Sequence, residues 1–195
     1  MRAPQPDGWS LKRIARALLL LLTGWWTLRL LARPADGCFV DFVNLPFHEA
    51  GHVFLSPFGH IAHVLGGTLG QLAVPGLLIW YFLAKRNDAF ATSFCLWWCG
   101  ENLINISTYM ADARALALPL VGGGEHDWTE LFFRWNTLDE RSVVRISSAT
   151  RSAGDVIMLL GLAWGILFVL PRVMRSGLVL RLAARAPRAA RLLGD

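Results

Sequence analysis

Residues 153–171, AGDVIMLLGLAWGILFVLP, carry one ionisable side chain, Asp155, and are long enough to cross the hydrocarbon core of a bilayer as a helix. Residues 14–32, IARALLLLLTGWWTLRLLA, read the same way. Two more stretches, 61–84 and 89–110, approach that length. The mean hydropathy of +0.43, with 54% apolar and only 17% charged residues, leaves too little polar chain to cover four such stretches in water. These features predict an all-α polytopic membrane helix bundle of about four transmembrane helices. It reads as a single integral membrane domain: a basic tail over 1–13, a membrane core over 14–171 and a basic tail over 172–195. Gln71, Glu101, Asn102 and Asn105 lie inside the two middle stretches. They are therefore expected to face one another or a polar cavity and not lipid.

Charge sets an orientation. Lys12, Arg13 and Arg16 precede the first apolar run, but no small-residue cleavage site follows it and Arg29 and Arg33 crowd its end, so it reads as a retained anchor. The basic N-terminal tail, the turn containing Lys85 and Arg86, and the arginine-rich tail after Pro171 all belong on the cytoplasmic side by the positive-inside rule. The connections 33–60 and 111–152 are charge-balanced and fall outside. Four spans with both termini cytoplasmic satisfy this pattern, which fits a bacterial inner membrane. The rule also accounts for the pI of about 9.7, so nucleic acid is not expected as a partner. The Ala/Leu/Arg tail reads instead as an amphipathic helix on anionic lipid.

On the outer side lies His48-Glu49-Ala50-Gly51-His52, a match to H-E-x-x-H. On a helix the two histidines are one turn apart on one face and both imidazoles reach one Zn²⁺, while Glu49 projects beside the metal as a general base. Asn44 reads as the helix cap and Pro46 as a first-turn residue. Pro46 and Pro57 then bracket only about ten helical residues in an otherwise apolar segment, 38–58. That is too short to span, so the segment is expected to be interfacial or re-entrant and to line a cavity.

A zinc site needs a third protein ligand. A histidine six residues after His52 is excluded, because Phe58 stands there. His60 and His63 fall past Pro57 and Gly59 and read as interfacial. Glu101 is a candidate set deep in the third span. Asp112, at the outer end of that span, is the first choice. His126 and Asp127, after the flexible Gly122-Gly123-Gly124, are the alternatives: His126 as a ligand oriented by Asp127 or as a donor to the reacting carbonyl, Asp127 as a ligand itself. His-Asp-Trp also reads simply as a helix cap.

The membrane-embedded HExxH, the glycine-rich span after it (Gly66-Gly67-Thr68-Leu69-Gly70-Gln71) and a later span ending in Asn105…Asp112 resemble the site-2 protease family of intramembrane zinc metalloproteases. The likeness covers roughly residues 38–120 and is specific at the five-residue motif; the family's Asp-Gly pair is absent, Asp112 being followed by Ala113. The resemblance implies zinc on His48, His52 and Asp112, Glu49 as the base, and hydrolysis of peptide bonds in a protein or peptide substrate at or within the bilayer. The alternative is a non-catalytic scaffold or transport accessory, with a structural or vestigial metal site and the intramembrane polar residues as a network. Gly66/Gly70 and Gly161/Gly165 have the small-xxx-small spacing of close helix packing, within the chain or in a homo-oligomer. The three cysteines do not form a disulfide framework.

Overall fold

The computed structural model describes residues 11–120 and 125–169; residues 1–10, 121–124 and 170–195 lie outside these, and with them the whole C-terminal tail and its expected amphipathic helix. The elements are α1 (Leu11–Ala32), α2 (Phe39–Leu55), α3 (His60–Tyr81), α4 (Ala89–Asp112), α5 (Asp127–Arg134) and α6 (Glu140–Val169), with no strand among the described residues. Among the described residues three helical stretches are long and apolar enough to cross a membrane: α1, α3 with the wide turn that continues it to Arg86, and α6. The fourth expected span, α4, is different. Fourteen of its 24 residues are buried, Glu101 and Asn102 among them, so it is the helix the others enclose. Its polar residues face protein, as its sequence demands.

Two helices begin earlier than expected, each because of a cap. In α2 the Asp41 carboxylate accepts from the Cys38 N–H at 2.6 Å, while Cys38 covers the Asp41 end in return, a capping box built on cysteine. Asn44 and Pro46 are therefore inside α2 and not at its start. Pro46 is tolerated on an exposed face, although its missing N–H leaves the Phe42 carbonyl without its helical donor. The helix has 17 residues, about 26 Å, still short of the bilayer core. In α6 the Asp139 side chain accepts from Ser142 N–H at 2.9 Å and starts the helix at Glu140, ahead of the expected 153. Arg151 donates to the Leu30 and Leu31 carbonyls at the end of α1, so residues 140–150 continue past α1.

The glycines make seams within the chain. A Cβ at Gly51 would come 2.7 Å from the Gly66 carbonyl carbon and 3.0 Å from Gly70 Cα, so α2 and α3 touch backbone to backbone. A Cβ at Gly154 would come 2.8 Å from the Gly100 carbonyl oxygen, and one at Gly161 would come 2.8 Å from Trp97 Cα, so α4 and α6 do the same. Buried polar groups lock the crossings: Trp97 Nε1 donates to Thr27 Oγ1 at 2.8 Å and Trp98 Nε1 to Asn44 Oδ1 at 2.7 Å. At the α1 C-terminal end of the bundle, Leu131 and Phe132 of α5 are fully buried against Val64, Ile106, Met110 and Val143. That burial pins α5, and with it Asp127, over the ends of α3, α4 and α6.

Candidate metal centre

The α2–α3 seam and the α5 anchor converge on the HEAGH face. His48 Nε2 lies 3.0 Å from Asp127 Oδ2 and His52 Nε2 lies 3.4 Å from the same oxygen. Four ligands at roughly 2.0–2.2 Å from zinc stand roughly 3.3–3.6 Å apart in a tetrahedron, so these spacings are close to those of a ligand set. The three side chains are 12–14% exposed. His48 Nδ1 lies 2.9 Å from Gln71 Oε1, and His52 Nδ1 lies 2.8 Å from the His63 carbonyl. Both partners only accept, so each Nδ1 carries the proton and each neutral ring turns its Nε2 lone pair towards Asp127. Two lone pairs and an anionic oxygen converging in a half-dry site repel one another unless a cation lies between them: a metal ion, or in its absence a proton on His48 Nε2 donated to Asp127 Oδ2 at 3.0 Å. The residues fit Zn²⁺. Burial works against charge on His48, but hydrogen bonds with Asp127 and Gln71, and the charges of Asp127 and Glu49, outweigh it and hold its pKa above the ordinary histidine value.

Space for this arrangement comes from Gly67. A Cβ there would land on His48 Nε2 and come 2.6 Å from His52 Nε2. Gly67→Ala is expected to leave the helical content unchanged, since alanine favours helix, while displacing both rings. Zinc affinity should fall at least 10-fold, read by competition with a chelator. Wild-type affinity in that variant would show that the rings can bind elsewhere.

Asp112 does not join the histidines. It is 8% exposed, and its two oxygens accept from Ala117 N–H at 2.9 Å and Leu118 N–H at 3.0 Å, so it holds the loop that leaves α4. The chain then returns and brings Asp127 in its place, the alternative of the sequence reading. His126 is the N-cap of α5: Nδ1 accepts from Thr129 N–H at 3.3 Å, and the ring is buried against Tyr109 with centroids 4.0 Å apart. Its Nε2 lies 3.6 Å from Asp112 Oδ2, so the ring faces Asp112 and is not among the residues lining the cavity. Burial lowers its pKa, against the opposing charges of Asp112 and Asp127. His63 is a partner rather than a ligand, returning a hydrogen bond from Nδ1 to the His52 carbonyl at 2.9 Å. His60 pairs with Glu130 at the surface at 3.1 Å. Glu101 is buried apart, where Asn44 Nδ2 donates to it at 3.0 Å.

Glu49 is exposed and lines a cavity of about 980 Å³, together with His48, His52, Asp127 and Tyr109. Tyr109 was not singled out by the sequence reading. Its Oη accepts from Asp127 N–H at 3.2 Å, which orients α5 and leaves its own hydroxyl proton for another acceptor. Its four-residue spacing from Asn105, on a face of α4 already polar, was the available signal. No protein-family model, curated protein or solved structure matches the chain.

Proposed function

We propose that the chain is a membrane-embedded zinc metallopeptidase with His48, His52 and Asp127 as protein ligands and Glu49 as general base. The observation that carries this reading is the convergence of two Nε2 atoms on one Asp127 oxygen, with both Nδ1 atoms already committed to neutral acceptors. A further polar residue beside them lines an open cavity rather than ligating, which is the arrangement hydrolysis requires.

His48, His52 and Asp127 would hold the zinc, which when bound would supply Lewis-acid polarisation of a peptide carbonyl and of the attacking water. Glu49, one residue from His48, takes the proton of that water and returns it to the leaving amine. Tyr109, rather than His126, would donate to the oxygen of the reacting carbonyl, because it lines the cavity and, among the described residues, its hydroxyl accepts from Asp127 N–H and has no acceptor for its own proton. Phe42, Leu45, Val53 and Leu120 give the same cavity apolar walls. Phe39, Phe42, Phe54 and Phe58 of α2 and the turn after it are 65–75% exposed, which favours a helix lying in lipid at the outer end of a four-span bundle and a membrane or membrane-proximal protein substrate. Arg16 and Asp88, 3.4 Å apart, keep the start of α1 beside the Lys85–Arg86 turn, as a shared cytoplasmic end requires.

Purified protein in detergent is expected to hold one zinc per chain by elemental analysis. Stripping it with a chelator should abolish hydrolysis of an unstructured peptide, and added zinc should restore it. A protein that stays metal-free in the presence of zinc overturns the reading.

A further inference from the structure

We propose that Gln71 is the positioning residue of the zinc site, aligned by Asn105 and Asp41; this role rests on the zinc reading of His48, His52 and Asp127. Four side chains from three helices form one directed hydrogen-bond chain. His48 Nδ1–H donates to Gln71 Oε1 at 2.9 Å, Gln71 Nε2 donates to Asn105 Oδ1 at 3.4 Å, and Asn105 Nδ2 donates to Asp41 Oδ1 at 2.8 Å.

The direction has one source. An amide has a donor end and an acceptor end, and a carboxylate oxygen accepts. Asp41 therefore draws the NH₂ of Asn105, which turns Asn105 Oδ1 to Gln71, which turns Gln71 Oε1 to His48. The last link requires the proton on Nδ1 and frees Nε2 for metal. Asp41 is itself fixed, because its other oxygen caps α2 by accepting from Cys38 N–H at 2.6 Å. The device that starts the helix thus also sets the tautomer of a residue two turns along it. His52 gets the same service from a backbone carbonyl, so His48 is the ligand whose orientation depends on side chains.

This assignment gives a use to Gln71, only 3% exposed, and to Asn105, which would be costly in a lipid-facing position. Through Asp41 the chain also runs into the neighbouring group of Cys38, Asp41 and Glu101, whose donor atoms lie within 4.8 Å of one another. There the carboxylate oxygens already have protein donors: Cys38 N–H and Asn105 on Asp41, Asn44 and the Cys38 thiol on Glu101. Those bonds fix Asp41, and with it the far end of the chain.

The test compares Gln71→Met, Gln71→Glu and wild type as full-length protein in detergent, with zinc affinity measured by chelator competition and the visible spectrum of the Co²⁺-loaded form. Gln71→Met keeps the volume and loses the acceptor, so zinc binding should weaken roughly 10–100-fold and the cobalt bands should shift. Gln71→Glu keeps an acceptor for Nδ1–H and should bind at least as tightly as wild type. In the metal-free protein, ¹⁵N spectra of His48 should show Nδ1 protonated in wild type and Gln71→Glu, with that preference lost in Gln71→Met. Unchanged affinity in Gln71→Met, or equal losses in both variants, overturns the role while leaving the zinc site standing. Wild-type protein that takes up no zinc overturns the metal reading and this role with it. Should Gln71→Met not accumulate, Gln71→Glu decides: affinity at or above wild type supports the role, and weaker binding overturns it.

Discussion

Asp127→Asn is expected to strip zinc from the protein, and Asp112→Asn is expected to leave it bound. Asp127 places one oxygen 3.0 Å from His48 Nε2 and 3.4 Å from His52 Nε2, and it is the anionic member of the trio. An amide in its place offers a neutral oxygen of the same shape, so folding should survive while the third ligand and its charge are lost. Zinc content should then drop from one per chain to a small fraction after gel filtration. Asp112 has the opposite profile. Its oxygens receive the backbone N–H groups of Ala117 and Leu118, and an asparagine presents an NH₂ to one of them. The cost is that of leaving a backbone group unpaired, roughly 1–3 kcal/mol, and should appear as a lower melting temperature with full zinc content. Zinc lost from Asp112→Asn and kept by Asp127→Asn would overturn the ligand assignment.

The pair of aspartates shows how far this sequence can be read. The helical class, the stretches 14–32 and 61–84 and the placing of His48 and His52 on one face of a helix follow from periodicity and spacing, which are local properties. The choice between Asp112 and Asp127 is not local. Asp112 ends a helix, and the chain leaving that end has N–H groups that need an acceptor, so the carboxylate is consumed by its own loop. Asp127 reaches the histidines only because Leu131 and Phe132 bury α5 against three other helices, a packing event with no signature at Asp127 itself. His126 illustrates the same limit in reverse: histidine beside aspartate suggests chemistry, but the residue serves as a helix cap. The early start of α2 was hidden because cysteine is not a usual cap, and the proline that suggested a first turn sits mid-helix on an exposed face. The polar residues of α3 and α4 were legible as inward-facing. Their order as a chain running to His48 was not, because it depends on which turn of one helix meets which turn of the next.

Glu49→Gln is expected to abolish peptide hydrolysis while leaving zinc at one per chain. Glu49 follows His48 directly, so on α2 it points about 100° away round the helix from that ligand, and it lines the cavity rather than joining the three ligand atoms. Its charge is one of those that hold the His48 pKa above the ordinary histidine value, and it lines the same cavity as His48, His52 and Asp127. Glutamine keeps the size and the hydrogen-bonding reach but has no basic oxygen to take a proton. The loss should therefore fall on turnover, by at least the roughly 10²–10⁴-fold that general-base catalysis supplies, and not on metal content or melting temperature. Rates on a fluorogenic peptide, taken with zinc analysis of the same sample, separate the outcomes. Zinc lost from Glu49→Gln would make Glu49 part of the ligand set. Turnover retained with zinc in place would mean that another carboxylate of the cavity, or none, handles the proton, and the peptidase assignment for this face of α2 would fall.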